Sequence, residues 1–397
     1  MTDRRIVHMG LGNFHRAHQC WWTWVVAHPD DREQWTVTAF TGRRPDAAAV
    51  LNAQGCRYTL VKRDTEEDRF EIVTALREAF DGADQATFDA RVADPATGMV
   101  TMTVTEAGYH LEAAPPARLL SGLRARFRAG GAPIAVVPCD NLSTNGVRIA
   151  DLLLTLAADE PDLRAWLSTE VSFVNTSVDR ITPRPTADDL AKVERLTGFA
   201  DRAPVITEPF HDWVLSGDFP GSRPHWERAD AQFVDDIEPW EHRKLWLLNG
   251  AHSLMAYVGL LRGCQTLADA NADDTITAAT EAWWAEVATL LDPDEVADYV
   301  PRLRARFANT AIGYPLTQIT ENGPEKMRVR VAEPAVALRA AGRSADAAAL
   351  AIAAYLNYVE ASPDTAGAVS RLSVALADDK TFVDTITDFR TQIGRTR

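Results

Sequence analysis

Three polar side chains that are expensive to bury stand together in one apolar run: Lys244, Asn249 and His252 in KLWLLNGAH. The longer run RKLWLLNGAHSLMAYVGLL has no proline and two glycines, so it reads as one long helix. At about 100° per residue, Asn249 falls about 140° and His252 about 80° from Lys244. Leu245, Leu247, Leu248, Leu254 and Met255 fill much of the remaining surface. Taken singly, Lys244 reads as a helix start that snorkels to solvent, and Asn249 and His252 as satisfied core residues. On one sector they need a facing polar surface, because buried polar groups require partners. A substrate pocket is one such surface. A lysine in a partly dry pocket has a lowered pKa and serves as a general base near neutral pH.

A second candidate lies at the N-terminus. Ile6 to Met9 reads as a short buried strand running into Gly10-Leu11-Gly12, followed by a helix from about His15 to Ala27 and a strand from Trp35 to Phe40. A Gly-x-Gly turn in a β-α-β unit lets a backbone approach a pyrophosphate. The fingerprint is incomplete, since His15 stands at its third glycine.

These candidates need a scaffold. Strand signals recur in YTLVKRD, EIVTALREAF, MVTMTVTEAGYHL, APIAVVPCDN and VSFVNTSVDRITP, with helices in PARLLSGLRARFRAG and NGVRIADLLLTLAA. The alternation predicts an α/β, doubly wound, Rossmann-like domain over residues 1–235. Ligands in such sheets bind beyond the carboxyl ends of strands, which here carry Glu106, Cys139-Asp140-Asn141 and Asn175. Beyond 235, strand signals give way to alanine-rich helical patterns, so 236–397 reads as a mainly α-helical domain. KLWLLNGAH then falls near the domain boundary, a location that small-molecule sites favour.

Composition narrows the classes. The chain has 397 residues, 46% hydrophobic and 24% charged, with a formal net charge of −15. That charge argues against nucleic acid and anionic membranes as partners. Four cysteines show neither a C-x-x-C pair nor zinc spacing, so no metal is expected. Without a signal peptide or a long apolar run, the chain reads as cytoplasmic. Several of the eleven tryptophans, among them Trp21, Trp22, Trp283 and Trp284, are expected to fill helix–helix or interdomain contacts. Nothing marks a heptad seam, which leaves a monomer or small homo-oligomer.

Collinear motifs now accumulate: GLGNFHRAH, TEAGYH, CDNLSTNG, VDRITP and the Lys-x4-Asn-x2-His of Lys244, Asn249 and His252. Together they resemble the mannitol dehydrogenase family of polyol-specific long-chain dehydrogenases and reductases. The resemblance implies a metal-independent NAD- or NADP-dependent oxidoreductase that interconverts a secondary alcohol of an acyclic sugar acid or sugar alcohol with the ketone. It implies Lys244 as general base, Asn249 and Asn175 as donors to the developing alkoxide, and His252 on a neighbouring substrate hydroxyl. It places the dinucleotide against Gly10, Gly12, Asn13, Phe14, Arg43, Glu106, Asp140 and Asn141. Glu106 either reaches the nicotinamide ribose or caps its strand.

Departures from the family pattern concern the substrate and the cofactor. QITENGPEK keeps the family lysine as Lys326 but has Gln318 where mannitol enzymes resemble one another in an arginine; a glutamine there looks more like the fructuronate reductases. In WVLSGDF, Gly217 takes the place of the family's substrate-contacting acid and Asp218 follows one residue later. The expected substrate is therefore of D-mannonate/D-fructuronate type, with mannitol or arabinitol as the alternative and a non-catalytic dinucleotide-binding sensor as the reading of another class. After the second strand, Arg43 and Arg44 suit a 2′-phosphate while Asp46 lies close by; NAD is expected, with NADP possible.

Overall fold

The computed structural model describes residues 2–359 and 364–393. The chain divides into two compact units between Glu238 and Pro239.

Unit 1 begins with β1 (Thr2–Met9), α1 (Asn13–Ala17), α2 (Gln19–Val25), β2 (Glu33–Phe40), α3 (Asp46–Ala53), β3 (Tyr58–Lys62), β4 (Arg69–Val73) and β5 (Leu76–Phe80). It continues with α4 (Gln85–Ala93), β6 (Thr97–Met102), α5 (Ala114–Arg128), β7 (Ile134–Pro138), α6 (Asn145–Leu156), α7 (Pro161–Glu170) and β8 (Val171–Phe173). It closes with β9 (Asn175–Asp179), α8 (Ala187–Thr197), β10 (Val205–Thr207), β11 (Asp212–Ser216) and β12 (Gln232–Phe233). The main sheet has the order β5-β2-β1-β6-β7-β8, and each neighbouring pair is parallel. The remaining strands form two small sheets, β10-β3-β4 and β12-β11-β9.

The period of two along each strand splits the core into two clusters, as both faces of a parallel sheet must be covered. Ile6, Val37, Met99 and Val137 join Trp21 and Trp22 of α2. Val7, Met9, Val100 and Val136 join Phe88, Leu119, Leu123 and Ile149 from α4, α5 and α6. The chain leaves β1 for β2 and later returns to β6 on the other side of β1. That reversal puts a ligand crevice at the carboxyl ends of β1 and β6.

Three expected elements divide differently. EIVTALREAF is two strands: β4 pairs antiparallel with β3, and β5 pairs parallel with β2. VSFVNTSVDRITP likewise changes sheet between β8 and β9, at Val174-Asn175. The helix after the glycine turn breaks at His18, whose φ of −114° and ψ of −102° lie outside the helical region.

Unit 2 begins within α9 (Glu238–Arg243) and continues with a π-helical turn at Lys244–Gly250, α10 (Ala251–Leu261), α11 (Leu267–Ala272), α12 (Asp274–Ala288) and α13 (Pro293–Phe307). After these come α14 (Leu316–Thr320), α15 (Gly323–Met327), a second π turn at Arg328–Ala332, α16 (Glu333–Ala340) and α17 (Asp346–Val359). The α18 (Thr365–Ser370), α19 (Val374–Asp378) and α20 (Lys380–Ile393) helices complete it. The single helix expected over Lys244 to Leu261 is thus interrupted, and its first seven residues, Lys244–Gly250, are wound with i→i+5 hydrogen bonds. Among the described residues no helix is long and apolar enough to cross a membrane.

Candidate active site

The two glycines of the N-terminal turn differ in kind. Gly10 has φ +110°, and a Cβ there would lie 2.0 Å from the Thr103 carbonyl oxygen. Only glycine lets β1 leave the sheet this close to the end of β6. Gly12 has an extended φ of −147°, and a Cβ there would meet nothing nearer than the Gly10 carbonyl oxygen at 3.7 Å. The space above Gly12 is open, as a turn that seats a pyrophosphate requires. Arg16 braces the turn from beneath, donating to the Gly12 carbonyl (3.4 Å), to Asn13 Oδ1 (2.8 Å) and to the Ala203 carbonyl. Phe14 stacks on His18 with ring centroids 4.9 Å apart. Arg43 and Arg44 are exposed on the loop after β2, and Glu106 is exposed in the short 3-10 turn after β6.

The Asp140 carboxylate is turned inward. Its Oδ1 accepts from the Val104 amide (2.7 Å) and its Oδ2 from the Tyr109 hydroxyl (2.6 Å). Asp140 thereby ties the loop after β7 to the loop after β6, across the mouth of the crevice. Burial pushes its pKa up to about 7 against the pull of those two donors. Asn141, next along, is exposed.

Asn145, fully buried, holds the following corner: its Nδ2 donates to the Asp140 and Thr176 carbonyls (3.2 and 3.0 Å), and its Oδ1 accepts from the Thr176 amide (2.9 Å). A Cβ on Gly146 would lie 2.7 Å from the Val174 carbonyl oxygen and 2.8 Å from the Asn175 amide nitrogen. This close approach lets Asn175 Oδ1 accept from the Val147 amide (3.2 Å) at the start of α6. That bond fixes which end of the Asn175 carboxamide faces α6 and leaves the NH2 end as a donor. Gly217 has φ +137°, with Val174 Cα 3.1 Å from where its Cβ would be. An acidic side chain is disfavoured at that position, and Asp218 beside it is exposed.

In unit 2 the π turn alters the geometry of the motif. Lys244 and Asn249 are five residues apart, the spacing that an i→i+5 turn brings toward one line, whereas an α-helix would separate them widely. Both are half-buried, and the Asn249 carboxamide has no hydrogen bond to a described residue. His252, at the start of α10, is buried against Phe307 (centroids 5.0 Å) and faces Tyr314 (6.4 Å). The tandem Trp283 and Trp284 of α12 donate from their indole Nε1 to the carbonyls of Trp246 and Leu247, each at 2.8 Å. Leu316 of α14 reaches Gly259 of α10, and Gly323 of α15 lies under Tyr257. The segment carrying Gln318 and Lys326 is thereby packed on the motif helix. Gln318 is exposed; Lys326 is half-buried and donates to the Ile319 carbonyl (3.0 Å).

Residues 4–228 match the family model described as the mannitol dehydrogenase Rossmann domain, and 236–383 match the mannitol dehydrogenase C-terminal domain. The chain belongs to the mannitol dehydrogenase family. It is similar to the D-mannonate oxidoreductase of Escherichia coli K12, with 32% identity across 95% of this chain and 84% of the relative. Its fold is similar to a Pseudomonas fluorescens mannitol 2-dehydrogenase solved as a ternary complex with NAD and D-mannitol. That match has a TM-score of 0.82 and 28% identity, and it covers 99% of this chain and 92% of the other. A D-sorbitol dehydrogenase solved without substrate gives a TM-score of 0.88 at 26% identity, covering 99% and 96%. As a mannitol dehydrogenase family member the protein is an oxidoreductase acting on CH–OH donors.

In this mannitol dehydrogenase family member, the sequence motifs expose the groups that face outward from each loop. They do not show how Tyr109, Asn145 and Gly146, which stand inside TEAGYH and CDNLSTNG, hold those loops from behind. Trp283 and Trp284 lie outside the motifs, and their tandem pointed to packing rather than to indole N–H donors.

Proposed function

We propose that this protein is an NAD-dependent dehydrogenase/reductase for an acyclic sugar acid of D-mannonate/D-fructuronate type, working without a metal. The observation that carries the reading is a half-buried lysine five residues from a carboxamide that bonds no described residue, both on one π turn. Lys244 takes the proton of the substrate's secondary hydroxyl. Asn249 donates to the oxygen as it gains charge, and His252 bonds a neighbouring hydroxyl; Asn175, the second donor that the family resemblance implies, has its NH2 end left to donate. The proton goes to the lysine, the C–H electron pair leaves as hydride, and the C–O bond becomes a ketone. The open ground over Gly12, with Asn13, Phe14, Arg43, Glu106 and Asn141 around the carboxyl ends of β1, β2, β6 and β7, fits a dinucleotide, and Asp140 shapes the loops that hold it. NAD bound there supplies the hydride acceptor.

The sugar acid is favoured by charge in unit 2. Lys326 has its pKa lowered by burial first and by the neighbouring Arg330 cation second. Burial also draws Arg330 down to about 10. Two half-buried cations that repel each other are relieved by a substrate carboxylate, and Gln318 adds a neutral donor and acceptor nearby. The polyol reading rests on Asn175 and on the mannitol and sorbitol enzymes of similar fold.

Following NAD and NADP reduction with D-mannonate, mannitol and arabinitol tests the proposal. Fastest reduction of NAD by D-mannonate is the expected result. Preference for a polyol would move the assignment to the second reading. Tight NAD binding without turnover on any of them would make the protein a dinucleotide sensor.

A further inference from the structure

The Lys244–Gly250 turn is wound with i→i+5 hydrogen bonds, and such turns do not persist without a cause. A change from i→i+4 to i→i+5 and back breaks the continuity of the backbone ladder. The cause lies 37 residues away. Trp283 and Trp284 are consecutive on α12, and their indole Nε1 groups donate to consecutive carbonyls in the middle of the turn, those of Trp246 and Leu247, both at 2.8 Å. Both indoles are buried, Trp283 completely. An indole has one donor and no acceptor, so each ring has a single polar requirement, met by this turn alone.

Gly250 completes the fit. A Cβ on it would lie 2.4 Å from Trp283 Cζ2 and 3.0 Å from the Arg330 carbonyl oxygen, although its φ of −64° is ordinary for a helix. The glycine is required by the closeness of Trp283, not by backbone conformation. The Trp284 ring also stacks on Phe307 (centroids 5.8 Å, planes 24° apart), and Phe307 lies against His252 (5.0 Å). One tryptophan pair thus touches the turn that carries Lys244 and Asn249, and through Phe307 it backs His252.

We infer that Trp283 and Trp284 are positioning residues that hold the Lys244–Gly250 turn in its widened form and so set Lys244 in line with Asn249. The inference rests on the assignment of Lys244 as base proposed above. Without the two indole donors the segment relaxes toward an ordinary α-helix, which turns Asn249 away from the oxygen that Lys244 deprotonates. The substrate's distal contacts and the dinucleotide seat in unit 1 are untouched by that change.

The test compares Trp283→Phe, Trp284→Phe, the double variant and Lys244→Ala. Phenylalanine keeps an aromatic ring in each place and removes the N–H. Readouts are NAD affinity and binding stoichiometry, melting temperature, and kcat per folded site against pH, with the substrate that proves active. The expected result for the tryptophan variants is a kcat lower by about 10- to 100-fold, the effect of misplacing a reacting group by about an ångström. Their kcat–pH inflection should move, while NAD affinity and substrate KM stay within about threefold, since the distal contacts are kept. A merely structural role would lower the melting temperature and the folded fraction, leave kcat per folded site and its pH profile at wild-type values, and overturn the inference. Wild-type kinetics in these variants together with an inactive Lys244→Ala would overturn it too, and would leave the base assignment standing. A fully active Lys244→Ala would remove the base assignment itself, and the inference with it. Should the tryptophan variants fail to fold, Gly250→Ala decides: it displaces the Trp283 indole without removing a donor. The same loss of kcat is expected there, and an unchanged kcat overturns the inference.

Discussion

The two glycines of the N-terminal turn should separate stability from cofactor binding. In Gly10→Ala the new Cβ would sit 2.0 Å from the Thr103 carbonyl oxygen, at φ +110°. The end of β1 and the backbone after β6 must then part, and the residue stays in a strained region. Overpacking contributes about 1–3 kcal/mol and the left-handed backbone about 1–2 kcal/mol, so a loss of roughly 2–5 kcal/mol is expected. In Gly12→Val the side chain enters space with no protein atom nearer than 3.7 Å to its Cβ. Stability should change by no more than about 0.5 kcal/mol, as for substitutions away from packed features. The same side chain fills the seat of the pyrophosphate, so the dissociation constant for NAD should rise more than about tenfold, or about 1.4 kcal/mol. Urea unfolding followed by tryptophan fluorescence gives the first quantity, and titration with NADH gives the second. NAD affinity unchanged in Gly12→Val would remove the turn from the cofactor site. Wild-type stability in Gly10→Ala would refute the steric argument for β1 and β6.

Changing Arg43 and Arg44 together to alanine should weaken NADP binding several-fold more than NAD binding if they meet a 2′-phosphate, read by paired titrations; equal effects would make them solvated loop residues. Asp140 should leave a signature in stability against pH. Its folded pKa of about 7 lies above the ordinary carboxylate value, so the folded state holds the proton more tightly than the unfolded chain. Its contribution is therefore fully present below about pH 4 and is lost as pH rises to about 7, a change on the order of a few kcal/mol. Asp140→Asn should flatten that slope in urea unfolding between the two limits, and a slope identical to wild type would contradict the burial argument.

The sequence revealed periodicity and chemistry well, and partners poorly. The glycine turn, the parallel strands and the change to helix beyond residue 235 all rest on local pattern, and each appears in the structure. EIVTALREAF has no glycine, proline or polar cluster at Thr74-Ala75, where the chain leaves β4 in one sheet for β5 in another, so nothing local marks the break. Asn175 sits where the chain changes sheet, and its orientation depends on Gly146 and Val147, about 30 residues earlier. The π turn was hidden for a similar reason. KLWLLNGAH is apolar on most sides, so nothing local distinguishes a widened turn from an α-helix, and the two donors that meet its carbonyls lie on α12. Asp140 was legible as a strand-end acid, but its inward partners Tyr109 and Val104 come from the loop after β6.

The central claim is that Lys244 is the base in a family oxidoreductase that uses no metal, and kinetics of Lys244→Ala test it most directly. With NAD and the active substrate, kcat should fall by about 10²- to 10⁴-fold, the range for a positioned acid–base group, while NAD affinity stays near wild type. Alcohol oxidation by the wild type should rise with pH, because only the neutral amine accepts a proton, and the variant should lose that dependence. Added methylamine should restore part of the rate by entering the space the side chain vacated. Turnover of Lys244→Ala at the wild-type rate, with the wild-type pH dependence, would contradict the account.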